Sequence, residues 1–260
     1  LSVLRYFVFF LFLIGSATAQ ELKVAAASDL TGAMQKLAPA FEKQTGIHVS
    51  VSLGSSGNFF AQIQNGAPFD VFLSADRSYP EKLLQAGQAE PGTLTGYARG
   101  ALVIWTSKKS GLGLSFGDNR NLTDDLSRLT GPGVAKIAIA NPEHAPYGRA
   151  AVAALQHYKI YDQVKSKLVL GENISQTAQF LQSGNVDVGF LSLSTAISPE
   201  MESKGRWLLL PEESYPPIEQ AGVIVRSSKN KEQARRFMDF LISPEGWGIL
   251  AECGFKPPHR

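Results

Sequence analysis

Two stretches carry the residue types that could hold an anion: AAASDLTGAMQ at residues 25–35 and VSVSLGSSGNFFAQIQNG at residues 49–66. Each reads as a strand that ends in small polar residues and then opens a helix. Such a junction points unpaired backbone N–H groups and the positive end of a helix dipole at one place. Neither stretch contains Lys or Arg. The chemistry on offer is therefore hydrogen-bond donation by neutral groups: the hydroxyls of Ser28, Ser55 and Ser56 and the nearby amides. Serine and aspartate are also the preferred helix caps, so at either junction alone Ser28, Asp29, Ser55 and Ser56 read equally as caps.

The second half has two junctions of the same kind. Ala140-Asn141-Pro142-Glu143-His144-Ala145-Pro146-Tyr147-Gly148 runs from a strand into a helix start, and Gly171-Glu172-Asn173-Ile174-Ser175 does so one unit later. Ligands of open α/β sheets lie outside the carboxyl ends of parallel strands. Two junctions from each half facing one another would form such a site.

Other chemistries are poorly supported. His48, His144, His157 and His259 are scattered, with no Cys partner and no i, i+4 pair, so a zinc site is not indicated. His144 reads as a loop histidine bonding a neighbouring backbone group, and Arg77 and Arg149 as surface or helix-start residues. Gly54-Ser55-Ser56-Gly57 lacks the G-x-S-x-G elbow of a hydrolase, so no enzyme is expected.

The elements that must position these junctions alternate short β-rich runs with helical patterns, which predicts an α/β architecture with mostly parallel strands. Strands are expected at Leu22–Ala26, Val49–Leu53, Phe69–Leu73, Ala135–Ala140, Lys167–Leu170, Asp187–Leu191, Trp207–Leu210 and Gln220–Arg226. Leu30, Met34, Leu37 and Phe41 mark one buried helix face that stops at Gly46. Further helices are predicted near Asn58–Asn65, Gly148–Tyr158, Ile174–Gln182 and Lys231–Ile242. The Gly, Ser, Asn and Asp-rich residues 107–133 read as a surface excursion with a short helix around Asp124–Leu129. Ala101–Trp105 and Ala221–Val225 are expected to cross between the two halves.

Arg5, the apolar run Tyr6–Ile14 and the small residues up to Ala19 have the form of an export signal cleaved after Ala19. Its nine apolar residues are well short of the ~20 that span a bilayer. Removing residues 1–19 leaves 260 − 19 = 241 residues with a formal charge of 24 − 23 = +1, which gives no reason to expect a nucleic-acid partner. The lone Cys253 has no disulfide partner, and no Cys follows the cleavage site to carry a lipid anchor.

Taken together, AAASDLTGAM, LGSSGNFFAQI, GAPFDVFLSAD, ANPEHAPYG and SPEGWGILAECGF resemble the periplasmic molybdate-binding proteins of ABC importers. The likeness runs over nearly all of the chain beyond residue 19. It implies a two-lobed class II periplasmic binding protein fold, each lobe a mostly parallel sheet flanked by helices, joined by a two-strand hinge. The expected division is residues 20–102 plus 211–260 for the first lobe and 103–210 for the second. The implied function is periplasmic capture of molybdate, and of tungstate, by a monomer that delivers it to a membrane permease without any cofactor. Sulfate and phosphate are the alternative oxyanions, and a hydrolase handling such an anion is the alternative of another class.

Carried over by position, the resemblance implies oxyanion contacts at Ser28, Ser56, Tyr147 and Ile174, with the amide of Asp29 beside them. The Asp29 carboxylate is expected to turn away from a dianion. Where many members place an anion-binding Tyr, this chain has Ser192, so either Ser192 or the hydroxyl of Tyr147 is expected to take that place.

Overall fold

The computed structural model describes residues 21–112, 114 and 122–258. The expected signal segment and His259 lie outside these residues, as does part of the 107–133 excursion.

Ten strands form two five-stranded sheets. The strands are β1 (Glu21–Ala27), β2 (His48–Gly54), β3 (Val71–Ser74), β4 (Thr95–Gly100), β5 (Leu102–Ser107), β6 (Ile137–Ala140), β7 (Leu168–Gly171), β8 (Val188–Ser192), β9 (Gly205–Leu209) and β10 (Ile218–Ile224). The first sheet has the order β2-β1-β3-β10-β4 and the second β7-β6-β8-β5-β9. In each, four strands share one direction and a single strand opposes them: β10 pairs antiparallel with β3 and β4, and β5 with β8 and β9. The opposed strand is in each case the one that arrives directly from the other sheet. Strand–helix–strand connections fill the parallel parts.

The central parallel strands β3, β6 and β8 are buried along their whole length, which explains their largely apolar sequences. One core packs the second sheet against the Pro146–His157 and Ile174–Gln182 helices through Val103, Trp105, Ile139, Leu155 and Leu181. The first sheet has a core on either face. One holds Leu37, Phe41, Phe237 and Leu241 of the Thr31–Thr45 and Lys231–Leu241 helices, with Phe41 and Phe237 edge to face at 5.3 Å. The other holds Phe59, Ile63, Phe72 and Leu83. Gly46, at a φ of 72°, ends the Thr31–Thr45 helix in the left-handed conformation that glycine adopts without strain.

The chain passes between sheets at Ala101, between β4 and β5, and again at residues 210–217. The two crossings run side by side: Ile218 pairs with Gly100, and the Leu102 amide donates to the Tyr215 hydroxyl at 3.0 Å. Of the expected crossing Ala101–Trp105, only Ala101 lies between the sheets, and Leu102–Trp105 belongs to β5. Ala221–Val225 is not a crossing but belongs to the first sheet, with Ala221–Ile224 inside β10. Its apolar run reflects burial between β3 and β4 rather than passage between lobes. Strand β4 escaped the sequence reading, because Gly96, Arg99 and Gly100 interrupt any alternating pattern.

Candidate functional site

Register places the four junctions. In the first sheet Ala27 pairs with Gly54, so β1 and β2 end side by side; in the second Ala140 pairs with Gly171, so β6 and β7 do the same. From these ends the chain enters a short 3-10 turn at Ser28–Leu30 and helices at Ser56–Gln64, Pro146–His157 and Ile174–Gln182. Ser28, Ser56 and Ile174 occupy first positions and Tyr147 a second position, where a backbone N–H has no carbonyl within its own helix. Pro146 takes the first position of its helix, where its missing N–H is no loss.

All four starts line one cleft, walled by Ala27, Ser28, Asp29, Gly54, Ser55, Ser56, Ala75, Ala145, Pro146, Tyr147, Asn173 and Ile174. No Lys or Arg is among these residues. Five of the six residues anticipated from sequence are thus brought together: Ser28, Asp29, Ser56, Tyr147 and Ile174.

Ser192 is the exception and is corrected here. It stands at the end of β8, outside the cleft wall, and its hydroxyl is committed locally. The Ser192 Oγ accepts from the Thr195 amide at 3.1 Å, donates to Thr195 Oγ1 at 2.7 Å and lies 3.0 Å from Ser194 Oγ. It is the N-cap of the Leu193–Ala196 helix.

The capping alternative can be decided at each junction. Asn173 is a cap, its Oδ1 accepting from the Gln176 amide at 3.1 Å. Ala27 and Ser55 stand in the N-cap positions of their elements without a side-chain capping bond. The Ser55 hydroxyl is buried in the cleft wall with no hydrogen-bond partner among the described residues. The Ser56 hydroxyl accepts from the Ala75 amide at 3.0 Å, which leaves its own hydrogen to be donated elsewhere.

Asp29 is 2 % exposed. Its Oδ2 accepts from the side-chain amide of Gln220, and Oδ1 accepts no bond of good geometry from the described residues. One carboxyl oxygen is thus tied to β10 through Gln220 while the residue remains part of the cleft wall. Burial lifts it from the ordinary aspartate value of 3.8 to about 6, with bonds from Gln220 and Tyr147 acting in the opposite sense. The Tyr147 hydroxyl is 3.5 Å from Gln220 Nε2 and is held against Gly100, where a Cβ would collide with it. Burial, with Asp29 beside it, pushes the Tyr147 phenol well above its usual range.

Gln220 was not anticipated. A lone amide inside the apolar strand Ile218–Ile224 is the signal that marks it, since a buried polar side chain requires a partner. Its Oε1 accepts from the Tyr97 hydroxyl at 2.9 Å, which joins β4, β10 and the cleft in one network.

Contacts across the cleft hold the two sheets in a closed arrangement. The Gly57 amide donates to the His144 carbonyl at 2.9 Å, and Ser194 Oγ donates to the Asp29 carbonyl at 2.8 Å. Asn58 donates to Glu172, and Arg149 is ion-paired with Asp76 while donating to the Tyr79 hydroxyl at 3.2 Å. His144 Nε2 lies 3.0 Å from the Glu172 carbonyl oxygen, a backbone group 28 residues on rather than a neighbouring one. Among the described residues no group of three or more His, Cys, Asp or Glu is placed to hold a metal ion, and no helix is long and apolar enough to cross a membrane.

Comparison with known proteins agrees with this architecture. The model of the bacterial extracellular solute-binding protein family matches residues 22–256. The chain is 37 % identical to a molybdate-binding protein ModA of Azotobacter vinelandii over 92 % of its length and 91 % of the relative's. It is 36 % identical to the Rhodobacter capsulatus protein of the same name, over 92 % and 89 %. The solved structure of the Azotobacter vinelandii periplasmic molybdate-binding protein superposes with a TM-score of 0.82 at 38 % identity, covering 92 % of this chain and all (100 %) of that one. The fold is accordingly the two-lobed one of periplasmic binding proteins, and the chain belongs to the bacterial extracellular solute-binding protein family.

Proposed function

We propose that this protein captures molybdate, and tungstate with it, in the cleft between its lobes and presents it to the membrane permease of an ABC importer. One observation carries the reading: four helix starts, two from each sheet, converge on a cleft whose wall contains no Lys or Arg. The names of the two relatives and of the superposed structure support the choice of oxyanion.

Molybdate at neutral pH is a tetrahedral dianion without protons, so its oxygens only accept hydrogen bonds. The proposed contacts are the hydroxyls of Ser28 and Ser56 and the amides of Asp29, Ser56, Tyr147 and Ile174, with Ser55 Oγ as a further donor. About six bonds to a charged group, each worth roughly 1.5–3 kcal/mol, sum to about 9–18 kcal/mol before association and closure are subtracted. Submicromolar binding, about −8 kcal/mol or better, is within that range without any cation. A buried lysine would add attraction but also its own desolvation.

The two side-by-side crossings at Ala101 and residues 210–217 are the proposed hinge. The expected division at residues 20–102 plus 211–260 and 103–210 is close to it, with Leu102 paired in the second sheet. Delivery requires that the permease distinguish the closed, loaded form from the open one. The reading places the protein in the periplasm as a monomer, without catalytic activity or cofactor. Calorimetric titration with molybdate, tungstate, sulfate and phosphate tests it. Tight binding of the first two and weak binding of the others is expected, since sulfate is a smaller tetrahedron; a preference for sulfate or phosphate would overturn the assignment.

A further inference from the structure

The carboxyl of Asp29 is an anomaly in a cleft built for an anion. It is part of the cleft wall, it is buried, and its Oδ1 lacks a well-formed bond. Among the described residues no cation neutralises it. The titratable groups facing it are phenols: Tyr97 from β4 and Tyr147 from the Pro146–His157 helix, with Tyr215 of the second crossing next to Tyr147. The Ile174–Gln182 and Leu193–Ala196 helices packed against the Ser28 turn have no ionisable side chain. In β2 the one such residue is His48, at the far end and paired with Glu42. In the Thr31–Thr45 helix the nearest is Lys36, exposed and paired with Glu252. On the Pro146–His157 helix Arg149 is paired with Asp76.

A dianion seated on the neighbouring amides would therefore face a third negative charge with nothing to offset it. We propose that Asp29 takes up one proton from solvent as the oxyanion enters, so that a repelling carboxylate becomes a neutral carboxylic acid able to donate a hydrogen bond. The step changes one bond only: a solvent proton is added to the carboxylate, and the anion remains proton-free. Burial has already brought the group close to neutral pH, which makes the uptake accessible. The Gln220 amide holds Oδ2 as acceptor in both forms, leaving Oδ1 to carry the proton.

This inference rests on the oxyanion reading and deepens it by making capture proton-coupled. Linkage gives the expected signature: with one proton taken up, the association constant falls tenfold per pH unit above the carboxyl's value in the free protein. The test is titration of the whole protein with molybdate and, separately, sulfate between pH 6.5 and 8.5, both anions being proton-free throughout. Calorimetry in buffers of different ionisation enthalpy counts the protons in the unaltered protein. The expected result is close to one proton taken up and a tenfold weakening from pH 7 to pH 8, with Asp29→Asn binding equally at both. A flat profile in the unaltered protein, or an unchanged slope in Asp29→Asn, overturns the proposal. Hydrogen phosphate bound more tightly than either proton-free anion also overturns it, since the proton would then belong to the ligand. Failure of every oxyanion to bind at pH 6.5 overturns instead the reading on which the proposal rests.

Discussion

Replacing Gly57 by Ala isolates closure from folding. Gly57 lies at the start of the Ser56–Gln64 helix, and in the closed arrangement a Cβ there would lie 2.7 Å from His144 Cβ and 2.8 Å from both its Cα and its carbonyl oxygen. Two of these three atoms are backbone, so a side-chain rotation cannot relieve the overlap. Forcing one methyl into such a contact costs about 1–3 kcal/mol. Separating the lobes instead loses the 2.9 Å bond from the Gly57 amide to His144, about 1 kcal/mol. Whichever cost is paid, closure is disfavoured by about 1–3 kcal/mol, equivalent to roughly 5- to 140-fold in affinity. Alanine is otherwise compatible with a helical position and the three atoms nearest a Cβ there all belong to His144, so the melting temperature of the ligand-free protein should be unchanged. Calorimetry with molybdate, thermal melts and small-angle scattering with and without the anion make up the assay. Affinity within threefold of the unaltered protein, together with ligand-induced compaction, would refute the argument that this contact belongs to the bound state.

Three more outcomes follow from the same geometry. Ser56→Ala removes the hydroxyl that accepts from Ala75 and should weaken oxyanion affinity by roughly 1–3 kcal/mol in calorimetry, with the fold intact by circular dichroism. Arg149→Ala breaks a cross-cleft ion pair whose side chains are 38 % and 28 % exposed, so the loss should be below about 1 kcal/mol and should shrink further as salt is raised in the titration. Asp29→Asn should stabilise the ligand-free protein at pH 8 and not at pH 4. A carboxyl raised from 3.8 to about 6 penalises the folded state once ionised, and the penalty grows as pH rises from about 4 to 6 and is constant above, at about 3 kcal/mol. Denaturant melts at the two pH values measure the difference.

What the sequence disclosed was local. The Ile174–Gln182 helix has the bounds expected from its flanking Asn and its apolar spacing, and the strand ends that open the four junctions fell within a few residues of expectation. Ser192 was misplaced because position was weighed above local chemistry: Ser192 and Thr195 stand three apart, a spacing at which a hydroxyl caps the helix that follows. The partnerships of Gly57 with His144 and of Arg149 with Asp76 join residues 87 and 73 positions apart on different sheets. No periodicity encodes them, since they exist only once two lobes meet. Gln220 is intermediate: its polarity in an apolar strand was visible, but its partner Asp29, 191 residues away, was not.

The opposed strand in each sheet has a consequence for the order of assembly. Residues 102–209 contain every strand of the second sheet in one continuous stretch, so that sheet can pair from its own sequence as soon as it has been synthesised. The first sheet cannot. Strand β3 has no neighbour on one side until β10, about 150 residues later, inserts between it and β4. A nascent chain is therefore left with an unfinished apolar edge for most of its synthesis, and about the last sixth of the polypeptide, from Ile218 on, completes what the first third began. Late truncations should leave one half native and the other unable to consolidate, in the way that a long-range pairing delays the transition state of a β-rich domain.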